Sequence, residues 1–368
     1  MKYVFEIEEN EYWWGGATPL GDKMPFSVET EIKIDLAGMD ARNQSMPLLL
    51  SNKGRYIWSD EPICFEFKDG KIYVEGSAEV RIYKVGDNLR DAYLTAMKRH
   101  FPFDGAPLQE KFFSTAQYNT WMKVTYNPTQ EAVLKYAHDV VYNGFEPGIL
   151  IIDEGWHGRY GTWEFDRIKF PDPKAMVDEL HSLGFTVMLW VCPFVTADGE
   201  KYVKSLRFGA EFEDKKISTD LFLRLEDGDV ALVNWWNGTS AILDFTCNSD
   251  VEYMKTQLDK LINDFGIDGF KFDGGQCYHY SNLMCVNGKL SPNLRSFEKN
   301  IAWNEFGRQY KYHEYKDTCK GGGKCTIQRL LDRTHSWDNE GINTIIPYSL
   351  FQGLIGYPFI CPDMIGGG

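Results

Sequence analysis

The sequence predicts a two-part α/β molecule: an antiparallel β-sandwich over residues 1–106, then a (β/α)8 TIM-type barrel over residues 107–368. Three observations carry this. Apolar and polar residues alternate with a period of two through much of the first hundred residues, as in half-buried antiparallel strands. From Phe112 onward the pattern becomes apolar runs of five to eight residues followed by helical periodicity, as in the βα units of a parallel sheet. Seven such runs are present, so the barrel is expected to stop after its seventh strand in the sequence given.

The alternating stretches are Val4 to Glu8, Val28 to Leu36, Cys64 to Phe67 and Ile72 to Glu75, with Asp69-Gly70 as a tight hairpin turn between the last two. The boundary is expected near Asp104 to Pro107. Asn127 is placed to cap a helix with Pro128 at its first position, an inward face of Val133, Leu134, Ala137 and Val141, and a stop at Gly144. Asp172 and Pro173 open a second helix with Met176, Val177, Leu180 and Leu183 inward and Gly184 at its end. Ser249 to Glu252 reads as a capping box for a third, which ends at Gly266. The strands between are Phe113 to Asn119, Gly148 to Asp153, Thr186 to Pro193, Ile267 to Asp273, Tyr310 to Lys316, Thr326 to Arg333 and Phe359 to Asp363. Ala241 to Phe245 follows a long excursion and is taken as an accessory strand.

A formal charge of −14 argues against nucleic acid or an anionic membrane surface as partner, because phosphates are bound by clustered Lys and Arg. No apolar run approaches the length of a spanning helix. Aromatic residues make 15% of the chain, which fits both surfaces that pack on sugar rings and a large aromatic core. The eight cysteines form no common zinc signature and are expected as free thiols. Met1 to Asn10 alternates like a strand and unlike a leader, so a cytoplasmic location is expected. The histidines show no helical metal spacing and no phosphate loop follows a strand, so neither metal nor cofactor is expected; Gly321-Gly322-Gly323 is taken as a flexible surface turn.

One segment carries most of the chemistry. Gly269-Phe270-Lys271-Phe272-Asp273-Gly274-Gly275 is an apolar strand that delivers a carboxylate to a glycine turn, where a substrate can approach closely. An Asp that only caps the turn fits the same residues. This strand resembles a signature of glycoside hydrolase family 31, as do Trp235-Trp236-Asn237-Gly238, Leu243-Asp244-Phe245-Thr246, and the closing Gly356-Tyr357-Pro358-Phe359 and Pro362-Asp363-Met364-Ile365-Gly366-Gly367. The resemblance implies a retaining exo-α-glycosidase with Asp273, the residue that matches the family's fourth-strand aspartate, as nucleophile. It also implies a partner acid/base in the loop after the sixth strand. Where many members carry Trp-Ser-Gly-Asp-Asn, this chain has His335-Ser336-Trp337-Asp338-Asn339, so Asp338 is the first choice and Glu340 its rival. A retaining mechanism needs two carboxyl groups about 5 to 5.5 Å apart, with the pKa of the acid raised.

Other strand ends supply candidate substrate-binding groups: Asp153 and Glu154 after the second strand, Trp190 in the third, and Lys271 just before the nucleophile. A carboxylate at such a position can accept two hydroxyl hydrogen bonds from one sugar. Arg333 and Asp363 resemble family positions that hold the acid/base and the ring hydroxyls; a structural ion pair is the competing account. Trp14 resembles a residue that reaches the barrel mouth, and Trp235, Trp236 and Asn237 are candidates for a lid or wall. Asn234 to Gly238 and Pro362 to Gly367 are similar to the α-galactosidase-like branch of the family, with α-glucoside and α-xyloside specificity as the alternatives. The partner is therefore expected to be an oligosaccharide or glycoside. Two other classes fit less well: a carbohydrate-binding protein of the same fold without turnover, and a Schiff-base aldolase using Lys271.

Overall fold

The structure is a computed structural model that describes residues 1–199, 211–212, 215–216, 221–291 and 295–363. The chain forms two compact units, one of Met1–Ala106, Gln276–Tyr278 and Lys316–Gly368, the other of Pro107–Gly275 and His279–Tyr315. Residues 364–368, which include the end of the closing glycine segment, lie outside the described residues.

The first unit opens with eight strands: β1 (Lys2–Glu6), β2 (Trp13–Ala17), β3 (Ile32–Asp35), β4 (Gln44–Ser51), β5 (Arg55–Ser59), β6 (Ile63–Lys68), β7 (Lys71–Gly76) and β8 (Val80–Lys84). One antiparallel sheet has the order β1-β7-β6-β3; a second joins β4, β5 and β8, with β2 also paired to β4. The alternation read from the sequence sorts side chains between layers. Leu49 and Ile57 face Phe65, Ile72 and Val74 of the other sheet, while Leu48, Leu50, Tyr56 and Trp58 face the opposite way. Asp69 and Gly70 both take positive φ, 50° and 73°, as the turn between β6 and β7 requires.

A helix over Leu89–His100, not anticipated from the strand-like pattern of this region, covers that outer face with Ala92 and Ala96. Its start was legible. Asn88 accepts from the Asp91 amide, a local capping bond, but the buried stripe consists of small residues that raise no strong apolar signal.

The second unit holds β9 (Gln117–Asn119), β10 (Ile149–Ile152), β11 (Thr186–Val191), β12 (Phe194–Thr196), the short pair β13 (Glu211–Phe212) and β14 (Lys215–Lys216), β15 (Leu232–Trp235), β16 (Gly238–Ile242), β17 (Gly269–Phe272) and β18 (Tyr312–Tyr315). Strands β9, β10, β11, β17 and β18 are parallel neighbours in that order. Val187, Leu189 and Val191 point to the helices, with Phe270 and Phe272, and pack on Met176, Val177, Leu258 and Leu261. The alternate residues Met188, Trp190 and Lys271 are also buried and face the other way, which is why the strands read as nearly continuous apolar runs. Strands β12, β16 and β15 form a separate antiparallel sheet, so the run at Ala241 is an accessory strand. The chain then returns to the first unit with β19 (Thr318–Cys319) on β4, and the parallel pair β20 (Ile327–Arg329) and β21 (Ile360–Cys361).

Several local readings are corrected. The run at Phe113 is helical over Lys111–Ser114 before β9 begins. The cap expected at Asn127 is Thr129, whose hydroxyl accepts from Ala132, and the buried face is Val133, Ala137 and Val140, with Val141 exposed. The capping box at Ser249 does not form, because the helix starts at Asn248 after Cys247 and Ser249 already lies in its first turn; Asp250 accepts from the amides of Phe222 and Asp244. Asp172 does cap its helix, through the Ala175 amide. Gly322 and Gly323 are buried against Met46 and Phe101, which places the glycine run in packing and not at a surface turn. Among the described residues, no helix is long and apolar enough to cross a membrane.

Candidate active site

In the second unit the ends of β10, β11 and β17 converge their polar side chains. The register pairs Trp190 with Lys271 across β11 and β17, and pairs Ile152 with Leu189, the residue before Trp190. Asp153 therefore emerges level with Trp190 and Lys271. Lys271 donates to Asp153 Oδ2 at 2.6 Å, and Asn119 at the end of β9 donates to the same oxygen at 2.6 Å. The Asp153 amide donates to Thr120 Oγ1 at 2.9 Å. Both members of this ion pair are buried, and the pair spans β11 to join β10 to β17, each charge offsetting part of the other's desolvation. An ammonium held this way is a poor nucleophile, which removes the aldolase reading.

Asp273 follows β17 directly. Its amide donates to Val191 O at 2.9 Å, continuing the ladder, and Trp190 Nε1 donates to Asp273 Oδ2 at 3.0 Å. The Gly274 amide donates to Oδ1 at 3.0 Å. Gly274 and Gly275 take positive φ, and a Cβ at either would lie 2.6 Å from Phe194 or Trp303, so the turn admits no other residue without rearrangement. Trp303 Nε1 and Asn300 Nδ2 donate to the two glycine carbonyls at 3.2 and 2.8 Å and fix the turn. Trp190 is thus buried and also bonded to the candidate nucleophile.

Glu154 has a different environment. It is 3% exposed, and its Oε1 accepts from Tyr160 Oη at 2.7 Å and from Asn237 Nδ2, while Oε2 accepts from Trp236 Nε1 at 3.4 Å. Burial pushes its pKa up to about 7 against the Tyr160 hydrogen bond, with the charges of Asp273 and Asp153 adding to the rise. Trp236 and Asn237 form the turn between β15 and β16, so Glu154 ties that hairpin to the end of β10. Trp235 stacks on Phe194 at 4.3 Å and is buried; Trp236 is 46% exposed. Tyr160, which also meets Trp235 edge-on, went unnoticed in the sequence because nothing near it marks its partner. His279, also missed, is buried against Phe194, and burial pushes its pKa down to about 3, so it is neutral at ordinary pH.

The remaining candidates belong to the first unit. Asp338 is exposed; Ser336 Oγ donates to it at 2.6 Å and the Glu340 amide at 2.9 Å. The Ser336 hydroxyl, then these amides, hold its pKa below the usual carboxylate range, the direction opposite to that expected of an acid. Glu340 is exposed in the same loop. Arg333 and Asp363 do not pair: Asp363 is bonded to Arg329 at 3.0 Å, and Arg333 lies buried over the Tyr348 ring at 4.5 Å. Asp363 meets Arg329 because Arg329 sits in β20, paired with Cys361 of β21, two residues before Asp363. Trp14 is half-buried against the cluster of Met46, Leu48 and Leu50.

In a TIM barrel the carboxyl ends of the parallel strands carry the active site, and Asp153, Glu154 and Asp273 stand at such ends. The sequence profile described as "Glycosyl hydrolases family 31 TIM-barrel domain" matches residues 106–366, and the chain belongs to glycosyl hydrolase family 31. It is 29% identical over 286 residues to the myogenesis-regulating glycosidase of Mus musculus, covering 77% of this chain and 38% of that protein. It is 24% identical to the alpha-xylosidase XylQ of Lactiplantibacillus pentosus over 65% of this chain and 30% of that protein. The chain thus spans about a third of the length of these relatives. Among solved structures, the GH31 dextranase of Flavobacterium johnsoniae complexed with glucose superimposes with a TM-score of 0.76 at 16% identity, covering 98% of this chain and 46% of that one. A GH31 sulfoquinovosidase from E. rectale in complex with an aza-sugar inhibitor gives 0.77 at 15% identity, with 100% and 59% covered.

Proposed function

We propose that this chain carries the nucleophile of a retaining exo-α-glycosidase that hydrolyses terminal α-linked sugars. One observation carries the reading: Asp273 stands at a strand end on a glycine turn, with Trp190 and Gly274 donating to its two oxygens. The carboxylate attacks the anomeric carbon as the bond to the aglycone oxygen breaks, and the acid/base gives that oxygen its proton. The same group then deprotonates water, which attacks the glycosyl ester and frees Asp273. Asp338 is the proposed acid/base, with Glu340 the alternative. Asp153, Glu154, Trp190, Trp235, Trp236, Asn237, Lys271, Arg333, Asp363 and Trp14 are the proposed surroundings of the sugar, Lys271 and Asp153 acting through each other. The proposed chemistry uses no cofactor. An α-galactoside is the proposed substrate, from the Asn234 to Gly238 resemblance; α-xylosides, from the similarity to an alpha-xylosidase, and α-glucosides are the alternatives.

A test is incubation of the folded protein with galacto-, gluco- and xylo-configured 5-fluoro-α-glycosyl fluorides, followed by intact mass and peptide mapping. A single adduct on Asp273, lost in Asp273→Ala, is expected. Folded protein that takes no label from any of the three overturns the assignment. A second reading, sugar binding without turnover, is favoured by the exposed and readily ionised Asp338. It predicts calorimetric binding of a monosaccharide with no covalent label.

A further inference from the structure

We propose that Glu154 is the positioning residue for the Trp236–Asn237 turn, and that its protonation state sets how firmly the turn is held. Three donors from two different segments, Tyr160 Oη, Asn237 Nδ2 and Trp236 Nε1, converge on this one carboxylate, and Asn237 also donates to Tyr160 Oη at 2.8 Å. With every contact made as an acceptor, Glu154 has little capacity left to bind a sugar hydroxyl, so its role is indirect.

The ionised carboxylate satisfies all three donors. Protonation turns one oxygen into a donor facing donors, and the hydrogen bonds that hold the turn weaken. The groups that face Glu154 favour an accessible switch. Asp153 from its own strand and Asp273 from β17 oppose its ionisation. Cys192 at the end of β11 and Tyr126 also feel its charge and, like Tyr160, are pushed toward their neutral forms by burial. The ammonium of Lys271 is engaged by Asp153. Burial and these neighbours place the change near neutral pH, pushed up to about 7. The turn is therefore tight above that pH and loosened below it. Trp236, half-exposed on the turn, is the side chain whose position follows.

Acrylamide quenching of tryptophan fluorescence between pH 5.5 and 8.5, in wild type and in Trp236→Phe, isolates the signal of Trp236 by difference. Its accessibility is expected to rise as pH falls through about 7. In Glu154→Gln, which cannot ionise, it is expected to be high and independent of pH. Tyr160→Phe removes a donor that favours the ionised form and is expected to move the midpoint upward. A flat wild-type profile, a transition that survives in Glu154→Gln, or an unmoved midpoint in Tyr160→Phe overturns the proposal. The last result decides it even if Glu154→Gln does not fold. A kinetic arm rests on the glycosidase reading: with a 4-nitrophenyl α-glycoside that is turned over, KM rises below pH 7 while kcat holds, and Glu154→Gln abolishes that dependence. Fluorescence needs no turnover, so failure of the glycosidase reading leaves the positioning claim testable.

Discussion

Glu154 and Asp338 are both carboxyl groups in loops that follow β-strands, yet their surroundings push them in opposite directions. Glu154 is buried, and desolvation outweighs the three donors it receives, so its neutral form is favoured up to about pH 7. Asp338 lies in water, where hydrogen bonds from the Ser336 hydroxyl and the Glu340 amide outweigh a smaller desolvation and lower its pKa. Donors alone do not determine a carboxyl pKa; the balance between donors and burial does. An acid catalyst needs the first kind of environment, and Asp338 has the second within its own loop.

The sharpest test of the comparison is Asp273→Ala. Removing the proposed nucleophile while both contrasted carboxyl groups remain is expected to lower kcat on the order of 10⁴-fold. A loss below tenfold would mean that Asp273 is a structural cap. Next is Lys271→Met, which leaves Asp153 as an uncompensated buried charge. Unfolding in urea should show a loss of about 3 to 5 kcal/mol, whereas Lys135→Met, which breaks the exposed pair with Asp139, should cost under about 1 kcal/mol.

Glu154 itself comes third. Its folded pKa of about 7 lies above the ordinary glutamate value of 4.5, so between those values the folded protein binds more protons than the unfolded chain. Stability therefore falls as pH rises across that window, by at most about 3 kcal/mol. Glu154→Gln should flatten that slope in melting temperatures recorded from pH 4.5 to 8. Asp338 gives the smallest effect and the opposite sign. Its folded pKa lies below 3.8, so its contribution is present above that value and is lost as pH falls through the folded pKa. Ser336→Ala should raise the Asp338 titration midpoint, followed by carboxyl ¹³C NMR, and lower the urea midpoint at pH 7 only slightly.

The sequence alone determined what local pattern controls. Continuous apolar runs gave β10, β11 and β17, because strands buried on both faces need no alternation. Asp172 before Pro173 gave a helix start, and Asp69-Gly70 a hairpin, since caps and tight turns are settled by adjacent residues. The strand that ends in Asp273 and two glycines was visible for the same reason.

Tertiary structure decided everything that depended on distant partners. Asp250 turned its carboxylate to amides 28 and 6 residues away. Asp363 chose Arg329 over Arg333 because β20 and β21 are neighbours. Lys271 and Asp153, 118 residues apart, became an ion pair only when β10, β11 and β17 came side by side. Which carboxyl groups stay ionised was likewise outside the reach of the sequence. Burial is a property of the folded packing, and at Glu154 it outweighs the hydrogen bonds that the carboxylate accepts.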